Sequence, residues 1–270
     1  MTVDVATRYI DLLAGCLSRS LFIDEEAHRA RIGDVLSREQ LRSIRARGWQ
    51  VVELGGDAVQ RAEGRDWPPF AETMIGTRRL DNLVRCVRRV LDDGVPGDLI
   101  ETGAWRGGAT ILMRGILAAY GVTDRCVWVA DSFEGLPEPD ADRYPADDGV
   151  DLSGVGILEV DAARVRANFA RYGLLDDQVR FLEGWFRDTL PGAPIESLAL
   201  IRLDGDLYES TTDALTALYP KLSPGGVVIV DDYGAFEPCR RAVDEYRAAY
   251  GIDEPIEEVD WTGVYWRRAA

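Results

Sequence analysis

The 270-residue chain is predicted to fold as a doubly wound α/β domain with a helical extension at its N-terminus, and three observations predict it. From residue 98 onward, short apolar runs alternate with stretches of helical periodicity, the pattern of βα units around a parallel sheet. Several of these runs end in acids or glycines, at the strand ends where open α/β sheets build their ligand crevice. Residues 1–70 instead place their apolar side chains at helical spacing.

Taken in order, RYIDLLAGCLSRSLF (8–22) reads as a helix, DWPPFAE (66–72) as a proline-broken linker and RRLDNLVRCVRRVLDD (78–93) as a second helix. The chain therefore divides into a helical extension, 1–70, that packs on or closes over the core, and a main domain, 71–270. The extension is also a candidate dimerisation element. DLIETG (98–103), CVWVAD (126–131), VRFLEG (179–184), LALIRLD (198–204) and GVVIVDD (226–232) read as strands, with helices near 108–120, 162–172, 209–220 and 237–249. PIEEVDW and GVYWRR close the chain as a hairpin around Thr262 and Gly263.

With 46% hydrophobic and 29% charged residues the chain can bury a large core. Its 31 basic and 47 acidic residues give a formal charge of −16, a field that repels phosphate backbones and anionic membranes and argues against a nucleic-acid partner. No run approaches the roughly 20 apolar residues of a bilayer span, and MTVDVATRYIDLL lacks the basic start of a signal peptide. No membrane partner and a cytoplasmic location are expected. Cys16, Cys86, Cys126 and Cys239 are too dispersed for a zinc or redox motif and read as buried free thiols. The acidity lies after residue 70, because residues 1–70 balance ten Arg against eleven acids. Within the main domain, 131–151 is densely acidic with Arg143 as its sole base, and reads as a solvated loop or a substrate-binding one.

A cofactor loop follows the first strand. Glu101-Thr-Gly103-Ala-Trp105-Arg-Gly107-Gly108 opens the first helix of the alternating region with glycines that admit a ligand to the backbone. A dinucleotide fingerprint would need glycine at Trp105, and Glu101 would repel a pyrophosphate. A sulfonium and an amino group suit that carboxylate, so the loop favours S-adenosylmethionine over NAD. Asp131, ending the next strand, can accept from both ribose hydroxyls, and Gly184-Trp185-Phe186 places aromatics where an adenine would lie, although core packing explains each aromatic alone.

Four carboxylates end two further strands. Asp204 and Asp206 lie two apart and share a side if their strand continues, and Asp231 and Asp232 end the next strand. If these strands are parallel neighbours the acids converge, and relief of their repulsion requires protons or a cation. A hard divalent ion such as Mg²⁺ fits an all-carboxylate cluster; helix capping explains one acid of each pair but not both. The single histidine, His28, excludes a His-based dyad and reads as a surface or packing residue.

GRDWPPFAETMIGTRRLDNL, IETGAWRGGA, ADSFEGLP, VRANFARYGLLDDQVRFLEGWFRDTLP, LIRLDGDLYEST, LYPKLSPGGVVIVDDY and CRRAVDEYR together resemble the macrocin O-methyltransferase family, from about Tyr9 to the C-terminus. The resemblance implies a Rossmann-like class I methyltransferase fold and Mg²⁺-dependent methylation of a deoxysugar hydroxyl on a glycosylated secondary metabolite such as a macrolide or aminocoumarin antibiotic. By position it implies Asp204, Asp231 and Asp232 as metal ligands and Asp206 as general base. It also places Glu101, Gly103, Asp131, Ser132 and Trp185 in the cofactor pocket, and Thr73, Met74, Ile75 and Gly76 in the segment that closes over the cofactor. An NAD-dependent dehydrogenase and a non-catalytic S-adenosylmethionine-binding protein are the alternatives that product analysis separates.

Overall fold

A computed structural model describes residues 4–23, 36–47 and 57–269. His28, read above as a surface or packing residue, lies outside the described residues. A seven-stranded sheet has the order β3-β2-β1-β4-β5-β7-β6, with β1 Asp98–Thr102, β2 Val127–Asp131, β3 Val179–Glu183, β4 Leu198–Leu203, β5 Leu222–Val230, β6 Glu257–Glu258 and β7 Val264–Arg267. Strands β1 to β5 are parallel; β7 runs antiparallel to β5, and β6 to β7. The expected strands are present. The regular β4–β5 ladder starts at Leu200 opposite Val227, after a register shift that absorbs Ser223-Pro-Gly-Gly226, because proline cannot donate to a ladder.

The alternation of side chains along each strand builds two cores. Leu99, Val127, Val129 and Ile229 point to one face, and Ile100, Trp128, Ile201 and Val228 to the other. The first face is covered by α1 Val5–Leu17, α4 Gly76–Asp92, α5 Gly108–Ala119 and α6 Ala162–Arg171; the second by α8 Tyr208–Leu218 and α9 Glu237–Tyr250. Short helices α2 Arg38–Ala46, α3 Ala58–Glu63 and α7 Phe186–Thr189 complete the described set. Helix α4 buries Leu80, Leu83, Val87 and Val90, the i, i+3, i+4 stripe that its sequence carries.

Helix α1 begins at Asp4, whose side chain accepts from Thr7 N–H at 3.0 Å. Ile10, Leu13 and Leu17 are buried in the same cluster as Ile111 and Leu112 of α5, each worth about 1.5–3 kcal/mol. Gly64 and Trp67, near the end of the extension, line a cavity together with the run Glu72–Ile75 at the start of the main domain.

Candidate active site

The strand order reverses at β1, between β2 on one side and β4 on the other, and a cavity of about 330 Å³ opens at the carboxyl ends of these strands. Glu101, Gly103, Asp131, Ser132, Trp185, Asp204, Asp206, Asp231 and Asp232 all line it, as do Thr73, Met74 and Ile75. Thus the loop after β1 and the acids after β4 and β5 share one space, as expected of a switch point. Gly76 and Gly184 stand behind the lining. Gly76 begins α4 pressed against Gly64, where a Cβ would come within 2.3 Å of the Gly64 nitrogen; Gly184 N–H donates to the Asp131 carbonyl at 2.9 Å.

Gly103 has φ +89°, and a Cβ there would lie 1.7 Å from the Asp204 carbonyl oxygen. Its smallness therefore serves the meeting of β1 with the end of β4. Trp105 takes φ +48°, a left-handed conformation uncommon for a bulky residue. Its indole N–H donates to the Ile157 carbonyl at 2.8 Å, and the Arg106 guanidinium lies 4.1 Å from its ring centroid.

Asp131 differs from the expectation that its oxygens wait for a ribose. Oδ2 accepts from the Ala104 and Trp105 N–H groups at 2.6 and 3.2 Å, and Oδ1 from Phe133 N–H at 2.8 Å. The carboxylate shapes the glycine loop and retains lone pairs for a ligand. Burial pushes its pKa up, against those three N–H groups. Ser132 Oγ donates to the Gly135 carbonyl at 2.7 Å and turns the chain into the loop beyond β2.

The carboxylates converge, but by a different route from that predicted. Strand β4 stops at Leu203, so the period-two argument for Asp204 and Asp206 does not apply. Instead Leu207 N–H donates to the Gly205 carbonyl at 2.6 Å, closing a three-residue turn with Asp206 at its centre and φ +59°. A non-glycine residue held there is strained, and such strain concentrates at functional sites. Asp206 N–H donates to Asp232 Oδ2 at 3.2 Å. One oxygen each from Asp204, Asp231 and Asp232 lies within 4.8 Å of the others, a hard-oxygen set that could hold a divalent cation.

The expectation that the acids need protons or a bound cation overlooked two arginines. Arg202 on β4 is 2% exposed and donates to Glu101 Oε1 at 2.6 Å, Asp204 Oδ2 at 2.7 Å and Asp231 Oδ1. Arg79 on α4 donates to the other Asp231 oxygen and to Asp260 Oδ2, the latter at 3.0 Å. A clue existed in LALIRLD, since an arginine inside a buried apolar strand needs partners. Arg79 and Asp260, 181 residues apart, left no local signal. Six carboxyl groups still meet two guanidiniums, four more acids than cations. Burial, then the neighbouring Asp204 and Asp231, pushes Asp206 up to about 8. Burial and Asp231 push Asp204 up to about 6, and burial pushes Glu101 up to about 8. Glu101 Oε2 is buried with no hydrogen-bond partner among the described residues.

At the mouth, Trp67 and Trp261 are about half exposed. Trp261 is held by its indole N–H to the Glu63 carbonyl at 2.8 Å and by the Arg65 guanidinium 4.0 Å from its ring centroid.

The chain matches the family described as Macrocin-O-methyltransferase (TylF) over residues 6–268. It is 64% identical over 215 residues to the 8-demethyl-8-(2,3-dimethoxy-alpha-L-rhamnosyl)-tetracenomycin-C 4'-O-methyltransferase of Streptomyces olivaceus, covering 79% of this chain and 82% of that one. It is 51% identical over 263 residues to the demethyldecarbamoylnovobiocin O-methyltransferase of Streptomyces niveus, covering 96% of this chain and 93% of that one. The solved structure of the O-methyltransferase NovP superposes with a TM-score of 0.85 at 50% identity, over 98% of this chain and 100% of that chain. A switch-point cavity that joins a glycine loop to an acid cluster, with likeness along nearly the whole length, has one reading: the chain belongs to the macrocin O-methyltransferase family and has its Rossmann-like class I methyltransferase fold.

Proposed function

We propose that this chain transfers a methyl group from S-adenosylmethionine to a sugar hydroxyl of a glycosylated secondary metabolite, with Mg²⁺ at the acid cluster. The observation that carries the reading is the shared cavity: Glu101 and Asp131 on one side, and Asp204, Asp206, Asp231 and Asp232 on the other, with only main chain between Gly103 and Asp204.

The buried, unpartnered Glu101 Oε2 fits the ammonium group of the donor. Asp131 fits its ribose, and Trp185, at the entrance to α7, its adenine. Thr73, Met74 and Ile75 cover the same pocket, tied down where Glu72 and Thr73 N–H donate to the Leu17 carbonyl at 2.9 and 3.3 Å. That covering run, at the start of the main domain, is the segment we assign to closure. Asp204, Asp231 and Asp232 would hold the metal. Asp204 and Asp232 each have a partner on only one oxygen among the described residues, and the excess of carboxyl groups over guanidiniums suits a divalent ion.

When bound, the donor supplies an electrophilic methyl group and the metal supplies Lewis acidity that acidifies a neighbouring sugar hydroxyl. Asp206 accepts the hydroxyl proton, held beside the metal ligands by the Gly205–Leu207 turn. The loop after β1 and the acid turn after β4 hold the reactants in line, the positioning part of the rate enhancement. Both arginines in the lining, Arg79 and Arg187, are paired with carboxylates. Among the described residues the cavity thus offers no free cation for a diphosphate, which favours a finished glycoside over a nucleotide-activated sugar. Trp67 and Trp261 give its apolar aglycone a surface at the mouth.

The test is mass spectrometry on the two acceptors whose methylating enzymes the chain resembles, the rhamnosylated tetracenomycin and demethyldecarbamoylnovobiocin, with S-adenosylmethionine and Mg²⁺ and then with EDTA. A gain of one CH₂ that EDTA abolishes and Mg²⁺ restores is expected. Transfer undiminished in EDTA would remove the metal from the reading, and no transfer to any glycoside would remove the substrate class.

A further inference from the structure

The acidic loop after β2 is fastened to the acid site at a place the chemistry above does not use. Asp147 is 0% exposed, which is unusual for an aspartate unless it is fully paired. Its Oδ1 accepts from Tyr208 N–H at 2.6 Å and its Oδ2 from Glu209 N–H at 3.1 Å. These are the first two amides of α8, whose own preceding residue, Leu207, provides no side-chain cap. The cap that α8 lacks is delivered from 61 residues upstream, and the Tyr144 and Tyr208 rings pack beside it with centroids 6.1 Å apart.

What lies on each side of this clasp gives it meaning. Upstream and downstream of Asp147, the loop puts Leu136, Pro137, Leu152 and Val155 into the cavity wall. On the other side, α8 starts directly after the strained turn that carries Asp206. The loop has a second fastening at Trp105 Nε1–H to the Ile157 carbonyl, which joins its far end to the glycine loop.

We propose that Asp147 is a positioning residue for the transfer reaction, locking the cavity-wall loop and the Asp206 turn into one unit so that the acceptor wall and the proton-accepting carboxylate keep a fixed relation. The proposal rests on Asp206 as the proton acceptor. It makes the acidic loop part of the machinery through one buried carboxylate, while its remaining acids are solvated surface.

Hydrogen exchange on the full chain, without ligand, tests it directly. In Asp147→Ala, amides of 136–158 and of 205–210 should exchange about tenfold faster together, while those of 98–131 stay within about twofold of wild type. S-adenosylhomocysteine affinity by calorimetry should stay within about twofold. With the rhamnosylated tetracenomycin as acceptor, kcat should fall about tenfold and KM should rise. Asp147→Asn, which keeps one acceptor oxygen, should recover part of both effects, and serves alone if the alanine variant does not fold. Trp105→Phe should loosen 152–158 without moving 205–210. Faster exchange in 136–158 with 205–210 unchanged would overturn the proposal, as would a loss of S-adenosylhomocysteine affinity in step with activity. No turnover by the wild type refutes the glycoside reading instead, and the exchange data then decide the clasp by themselves.

Discussion

Replacing Arg202 by methionine should destabilise the protein by about 3–5 kcal/mol at neutral pH, the usual cost of removing one partner from a buried ion pair. The guanidinium is 2% exposed and holds three carboxylates at the carboxyl ends of three adjacent strands, β1, β4 and β5. Methionine fills similar volume, so the loss is electrostatic and not a cavity. That amount is a large share of a typical folding free energy of about 5–15 kcal/mol, and for a chain of this size corresponds to roughly 6–20 °C in Tm. The assay is urea denaturation of wild type, Arg202→Met and Arg202→Lys at several pH values. The methionine defect should shrink as pH falls, because Glu101 and Asp204 then take up protons in place of the lost cation. Lysine, a point charge without the fork, should recover only part. A loss below about 1 kcal/mol, or one that does not change with pH, would refute the view that Arg202 organises the acids.

Asp206→Asn should keep S-adenosylhomocysteine and Mg²⁺ affinity while kcat falls about 10²–10⁴-fold; weaker Mg²⁺ binding with activity recovered at high metal would make Asp206 a ligand. Asp131→Ala should cost about 1–3 kcal/mol of S-adenosylhomocysteine affinity by calorimetry, since it loses the ribose acceptor and frees the Ala104 and Trp105 amides; unchanged affinity would place the ribose elsewhere. Without metal, stability should fall as pH rises from about 4 to 8: Glu101 and Asp206, pushed up to about 8, keep protons in the folded chain that the unfolded chain has released. Chemical denaturation across that window, with and without Mg²⁺, checks the sign, and stability rising with pH would contradict it.

Much of this was readable in the sequence because it is encoded locally. Strand alternation, the α4 stripe and the punctuation after each strand fix where β1 to β5 end, and a parallel sheet brings those ends together. That is why Glu101, Asp131, Asp204, Asp231 and Asp232 were identifiable before any coordinates. Asp206 reaches the site by a route that strand periodicity does not encode, because a tight turn with positive φ leaves no periodic trace. Arg79 with Asp260, and Asp147 with α8, are pairings across distant segments that depend on packing, and sequence spacing carries no information about them. The Asp131 hydrogen bonds were missed for a related reason: a carboxylate that binds a ligand and one that shapes a loop have the same letter.

The contact between Gly103 and Asp204 sets a length scale for the whole reaction. Here the span between the glycine loop and the acid turn is one main chain resting on another. Such a spacer has no rotamers and cannot be tuned gradually: a single added methyl at residue 103 would force the two strand ends apart. Acceptor preference can therefore drift through the mouth and the wall loop while the distance over which the methyl group travels stays the same, which lets one scaffold serve many glycosides with a common transfer geometry.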